Sequence, residues 1–311
     1  MSRPSSAVPP VERVELAPGL EISRLITGLW QVADMERDGV LDPEAAAREM
    51  APYVEAGLTT FDMADHYGSA EEIAGHFREG RGGAGAAAGE GEPGVQLLTK
   101  WVPSPGPVTR ADVREAVERA LGRLRTEALD LLQFHAWRYS DPRWLDCLFW
   151  LEELRQEGLI RQLGLTNFDG PHLAMVLHSG IPVVSNQVAY SLLDRRPENG
   201  LTALCRAHGI HLLCYGTVAG GLLTERWLGR PDPGVEAMDT WSQMKYRRFV
   251  EAAGGWHRFQ GLLAVVSRVA QRLGVSMANV ASRYVLDQPG VGGVIIGARL
   301  GESRHIEDNL R

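Results

Sequence analysis

A single (β/α)8 barrel is the fold this sequence predicts, and three observations predict it. Short apolar segments and longer amphipathic segments alternate eight times along 311 residues, as parallel strands joined by helices require. No break in composition divides the chain, so 1–311 reads as one domain, and eight units in about 250 residues is the usual size of such a barrel. Polar residues stand at the C-terminal ends of nearly every strand, whereas an open sheet would gather them near one switch point.

The elements follow in order. Val14 to Ile22, with Pro18-Gly19 at its centre, predicts an N-terminal β-hairpin. Leu25 to Trp30 is the first core strand. Asp42 caps and Gly57 stops a helix over Pro43 to Ala56. Thr59 to Met63, β-branched and aromatic, is the next strand, and Glu71 to Arg78 the next helix. Residues 80–94 are rich in Gly, Ala and Glu and read as a flexible insertion, and 1–12 as a disordered start. Val95 to Thr99 is a strand ending at Lys100. Thr109 to Leu124 is a capped amphipathic helix with Asp112 and Glu115 in its first turns.

Leu129 to Phe134 is a strand ending at His135, and Pro142 to Glu157 a helix stopped by Gly158. Ile160 to Leu165 ends in Thr166-Asn167, and Pro171 to His178 is stopped by Gly180. Val183 to Val188 carries Asn186 and Gln187. Leu201 to His208 is stopped by Gly209, and His211 to Tyr215 is a strand. Leu223 to Trp256 reads as a long irregular loop before the last helices, Phe259 to Leu273 and Met277 to Asp287. Val291 to Ile296 is the last strand and Ser303 to Leu310 the last helix.

Composition narrows the functions. A net charge of -7 argues against a generic affinity for nucleic acid or anionic membrane. No run approaches the ~20 apolar residues of a membrane span. Met1 to Pro10 has one cation, Pro9-Pro10 and no apolar core, unlike a signal peptide. The three cysteines, Cys147, Cys205 and Cys214, have no metal spacing and suit a reducing, cytoplasmic compartment, an organellar one staying open. No metal site is visible.

The chemistry concentrates on three successive strand ends. Asp62 ends one strand and Tyr67 lies in the loop after it; Lys100 and His135 end the next two. A phenol in water is a poor acid, with a pKa of about 10, and becomes a usable one where cations and hydrogen bonds stabilise its phenolate. Singly, Asp62 and Lys100 read as a buried salt bridge and His135 as a core histidine. In order on consecutive strand ends they read as a site. A hydride arriving at a carbonyl carbon creates an alkoxide, which such a cluster of donors stabilises.

Phe-Asp-Met-Ala-Asp-His-Tyr-Gly, Leu-Thr-Lys and Asp-Leu-Leu-Gln-Phe-His resemble the three catalytic segments of the aldo/keto reductases, and the resemblance extends from about Ile22 to Leu310. It implies Tyr67 as general acid, Lys100 paired with Asp62 to depress the phenol's pKa, and His135 to orient the carbonyl. It implies NADPH as cofactor, bound without a Gly-x-Gly-x-x-Gly loop. Asn167 and Gln187 match the carboxamide ligands and Tyr215 the aromatic that stacks on the nicotinamide, though an ordinary core aromatic is an equal reading of Tyr215 alone. Tyr215 to Leu223 resembles the pyrophosphate loop, with Gly216, Gly221 and Leu222 in it and Gly216-Thr217 where the family often has Ser-Pro. Gly297 and Arg299 after the last strand, then His305, Asp308 and Asn309, resemble the adenosine end. Gly28 and Trp30 close the first strand on the same side. Trp30, His66, Trp101 and Trp137 are the expected pocket walls around a small carbonyl substrate.

Three functions fit this pattern: an NAD(P)H-dependent reductase of aldehydes or ketones, a nucleotide-binding regulatory subunit resembling potassium-channel β subunits, and a biosynthetic enzyme for one elaborate ketone. Substrate and oligomeric state are not written in these residues, because loops set specificity and vary independently of a barrel.

Overall fold

Arg13–Ala17 (β1) and Leu20–Ser23 (β2) pair antiparallel about the Pro18-Gly19 turn, giving the predicted hairpin. The computed structural model that shows this describes residues 10–32, 41–81, 94–234, 236, 238, 240–302 and 304–311. Most of the expected disordered start and insertion lie outside those residues. Glu12, however, is described, and it pairs with Arg24 and Arg283, so order begins before residue 13.

Leu25–Gly28 (β3) is the first barrel strand. The helix expected over 43–56 is divided into Pro43–Arg48 (α1) and Ala51–Glu55 (α2). Pro52 is the cause: it has no N–H to donate, and its ring crowds the carbonyl of Arg48 four residues earlier. Thr60–Asp62 (β4), Ala70–Gly80 (α3) and Gln96–Trp101 (β5) follow. Arg110–Leu124 (α4) opens on a reciprocal capping box between Thr109 and Asp112. Leu129–Phe134 (β6), Arg143–Gln156 (α5), Ile160–Thr166 (β7), Gly170–His178 (α6), Ser185–Ala189 (β8), Leu201–Ala207 (α7) and His211–Tyr215 (β9) keep the alternation.

The stretch expected to be irregular contains a helix, Trp241–Ala252 (α8), capped by Thr240. Its buried face includes Arg247, whose guanidinium pairs with Asp232 and Glu251. A cation on the inner face breaks the apolar period that would announce the helix. Gly255–Leu273 (α9), Met277–Leu286 (α10), Val291–Gly297 (β10) and Ile306–Asn309 (α11) complete the chain, α11 being shorter than the predicted 303–310.

The eight strands from β3 to β10 pair in parallel, in the order β10-β3-β4-β5-β6-β7-β8-β9, and close. The fold is therefore the predicted (β/α)8 barrel with its N-terminal hairpin. Inside, Ile26, Leu98, Leu131 and Leu213 form an apolar layer with Leu16, Leu20 and Ile22 of the hairpin, which plugs the N-terminal end. Outside, Phe61, Leu97, Leu132, Phe134 and Leu163 pack against Ile73, Val117, Leu148 and Val176 of the helices. With the bottom plugged and the wall covered, the C-terminal rim is left for chemistry. No described helix is long and apolar enough to cross a membrane.

Candidate active site

Successive strand residues alternate between barrel interior and outer layer. Leu98 and Leu131 face inward, so Lys100 and Gln133, two residues on, do too. Asp62 and Gln187 join them, and all four are buried. Lys100 Nζ donates to Asp62 Oδ2 at 2.6 Å and to the Met63 carbonyl at 2.7 Å. Asp62 Oδ1 accepts from Gln133 Nε2 at 2.9 Å and from Gln187 Nε2 at 2.7 Å. Gln187 also donates to Gln133 Oε1 at 2.9 Å. Desolvating two charges costs several kcal/mol per ion, so such a pair holds only with its remaining hydrogen-bonding capacity met. Here both carboxylate oxygens are met. Gly164 makes the room: a Cβ there would lie 2.5 Å from Ser185 Oγ and 3.2 Å from Gln133 Cγ. Burial pushes the Lys100 ammonium down, and Asp62 opposes it by charge and hydrogen bond.

Tyr67 lies above this layer in the turn after β4, its N–H on the Ala64 carbonyl at 3.1 Å. Lys100 Nζ sits 5.1 Å from the centre of its ring. Trp30 and His66 meet the ring edge-on, each with centroids 4.8 Å away. The balance around the phenol runs opposite to the sequence expectation. Burial first, then the Asp62 charge, raise its pKa well above the ordinary value. The phenol is therefore protonated at neutral pH.

His135 follows β6 and is neutral. Burial, reinforced by the Lys100, His66 and Lys245 charges, brings its imidazole down to about 4. Asn167 Nδ2 lies 3.3 Å from His135 Nε2, and the Tyr215 hydroxyl donates to Asn167 Oδ1 at 2.9 Å. Asn167 adopts a left-handed φ of 60°, a conformation asparagine tolerates better than most residues. The Tyr139 hydroxyl donates to its carbonyl at 3.2 Å. Strands β6, β7 and β9 thus meet in one chain of polar contacts at the rim.

The loop after Tyr215 is covered by α8. A Cβ on Gly216 would collide with the Tyr246 hydroxyl, and one on Gly220 would lie 2.9 Å from the Ser242 backbone. Glycine is needed at both positions by helix packing. Gly221 ends the short 3-10 turn of this loop, and Leu222 is fully buried.

Gly28 ends β3 and pairs with Gly297 of β10. Arg299 is partly exposed, 3.7 Å from Glu302. His305 and Asn309 line a pocket with Leu25, Tyr53, Leu58 and Ala298. The Asp308 carboxylate accepts from Ser276 Oγ at 2.9 Å, tying α11 to α10. Trp137 is 64 % exposed, its ring centroid 4.8 Å from that of His135. With Trp30 and His66 against Tyr67, it stands beside the polar rim. Trp101 does not: it follows inward-facing Lys100, so it turns to the outer layer and packs on Phe134.

Sequence reasoning missed Gln133, Tyr139 and Lys245. Gln133 was findable, since it shares the inward parity of Leu131 and His135. Lys245 was not, because it rides on the unforeseen helix, with its Nζ 4.9 Å from the Tyr215 ring centre.

The sequence profile of the Aldo/keto reductase family matches residues 24–311. Among similar proteins is the uncharacterized oxidoreductase YqkF of Bacillus subtilis, 32 % identical over 255 residues, 79 % of this chain and 75 % of that protein. Another is aflatoxin B1 aldehyde reductase member 2 of Rattus norvegicus, 27 % identical over 297 residues, 89 % of this chain and 77 % of that protein. Of solved structures, the aldo-keto reductase AKR11C1 from Bacillus halodurans in its holo form aligns with a TM-score of 0.68 and 26 % identity, covering 96 % of this chain and 90 % of that one.

Proposed function

This chain belongs to the aldo/keto reductase family, and from that premise we propose that it reduces an aldehyde or ketone to an alcohol with NADPH. The observation that carries the reading is the Asp62–Lys100 pair buried beneath the Tyr67 ring, beside a neutral His135 on the same rim.

The donor set suits a nicotinamide. Tyr215 offers a half-buried ring at the rim, and the Asn167 amide stands beside it. Asn167 and Gln187 would hold the carboxamide, Gln187 through its amide oxygen, since its nitrogen is committed to Asp62 and Gln133. Tyr215 would stack on the ring, with Gly28 and Trp30 across from it. The loop containing Gly216, Gly221 and Leu222 would take the pyrophosphate. Gly297, Arg299, His305, Asp308 and Asn309 would take the adenosine end, Arg299 with the 2′-phosphate. When bound, the nicotinamide supplies the hydride.

Tyr67 donates the proton. Its raised pKa keeps the proton in place at neutral pH, and an alkoxide is a far stronger base than a phenolate, so the transfer is downhill once the alkoxide forms. Lys100, held beneath the ring by Asp62, stabilises the negative charge the phenol then acquires. His135, uncharged, orients the carbonyl oxygen toward Tyr67 by a hydrogen bond. Trp30, His66 and Trp137 border the substrate.

Incubation with NADPH and a panel of aldehydes and ketones, followed by the loss of reduced-cofactor absorbance, tests this. Consumption matched by alcohol formation is expected. Tight NADPH binding without consumption on any of the panel would overturn the reductase reading.

A further inference from the structure

Lys245 is a cation the reduction of a simple carbonyl does not use. Its Nζ lies 4.9 Å from the Tyr215 ring centre and 5.3 Å from that of Tyr246. The Tyr215 hydroxyl reaches Asn167, which contacts His135, so the ammonium stands beside the polar rim of the candidate site. It forms no ion pair with any described residue. Arg248, one turn on, and Arg196 act on it as like charges, with Asp194 opposing. Asp194 is already paired with Arg196. In a chain of net charge -7, a concentration of cations at one rim calls for an anion from outside.

We propose that Lys245, backed by Arg248, recognises an anionic group on the substrate, so that the enzyme prefers carbonyl compounds that also carry a carboxylate. The inference rests on the reductase reading of the same site. Two observations favour the substrate over the cofactor's phosphates as the anion's source. On α8 the residues facing the Gly216–Gly221 loop are Ser242 and Tyr246, which fill the space over Gly216 and Gly220. Lys245 stands over the Tyr215 ring instead, whose hydroxyl reaches Asn167 beside His135. A nicotinamide ring on Tyr215 would take the ammonium's present seat, and the flexible four-carbon stem of lysine lets it shift to the rim. The Trp30 and Trp137 rings at that rim suit a substrate with a flat apolar body.

The test compares benzaldehyde with 4-carboxybenzaldehyde, which differ by one carboxylate. In the wild type the ratio of their kcat/KM values should favour the acid by roughly five- to tenfold, the worth of one partly exposed charge-assisted contact. Lys245→Met should bring the ratio to about one, Lys245→Arg should keep it, and Lys245→Glu should reverse it. Calorimetric titration of the NADPH-loaded protein with benzoate supplies a readout without turnover, with binding expected in the wild type and lost in Lys245→Met. Equal benzoate binding by both, or a ratio untouched by Lys245→Met, would overturn the assignment. So would a large loss of NADPH affinity with the ratio intact, which would hand the cation to the cofactor's phosphates. If no member of the aldehyde and ketone panel is reduced but benzoate binding depends on Lys245, the anion site stands and the reductase reading falls.

Discussion

Replacing Lys100 with methionine separates the electrostatic role of the buried pair from its bulk. Asp62 and Lys100 are 3 % and 2 % exposed, so the carboxylate left behind has no access to water. Breaking a buried pair from one side costs about 3–5 kcal/mol. The Gln133 and Gln187 amides still reach Asp62 Oδ1, which sets the loss for Lys100→Met at the low end, about 3 kcal/mol. The sign with pH follows. A buried carboxylate stripped of its cation is penalised in its charged form only. The penalty is absent where the carboxyl is protonated and present where it is ionised, so the variant's deficit grows toward alkaline pH. Adding Asp62→Asn removes the charge and keeps Oδ1 as acceptor for both amides, at about 1–2 kcal/mol for the unpartnered NH2. The double variant should therefore be more stable than Lys100→Met by about 1–2 kcal/mol. Turnover should fall by roughly 10²–10³-fold in both, because neither supplies a cation beneath Tyr67. Denaturant unfolding in mildly acidic and mildly alkaline buffer, with steady-state reduction on the same preparations, measures all three quantities. Wild-type stability and turnover in Lys100→Met would refute the reasoning, and a double variant less stable than the single would show that the lost charge is not what destabilises it.

Three further outcomes are expected. Tyr67→Phe should lower turnover by roughly 10²–10⁴-fold while NADPH affinity, read by fluorescence titration, changes little; near-normal turnover would remove Tyr67 from the mechanism. NADPH should bind more tightly than NADH by about 1–2 kcal/mol, a figure reduced because Arg299 is partly exposed and already faces Glu302, and Arg299→Ala should close that gap; equal affinities in the wild type would count against Arg299. The His135 imidazole should titrate near 4 by NMR and move upward in Lys100→Met, since the lysine's charge helps hold it down; a midpoint near the ordinary histidine value would mean that His135 is charged in mildly acidic solution and could donate from either nitrogen.

The order of elements and the three polar strand ends were legible because each is local. Strand alternation, Asp and Thr caps, and glycine stops act within a few residues of themselves, and the barrel follows from eight repetitions of one unit. Asp62, Lys100 and His135 were legible for the same reason, each sitting at the end of a strand that its neighbours define. What only tertiary structure decided depends on residues far apart in sequence. Gln187 gives its amide to Asp62, 125 positions away, so its nitrogen is spent before any ligand arrives. Trp101 turns outward because closure of the barrel fixes which parity faces in, and Lys100 has already taken the inner place. The helix Trp241–Ala252 escapes sequence reading because a buried arginine, paired with Asp232 and Glu251, stands on its inner face. That helix brings Lys245 to Tyr215. The phenol's pKa rises because burial and the Asp62 charge act on it. The sequence shows which charges exist, but their balance at one oxygen depends on distances and desolvation that only the closed barrel sets.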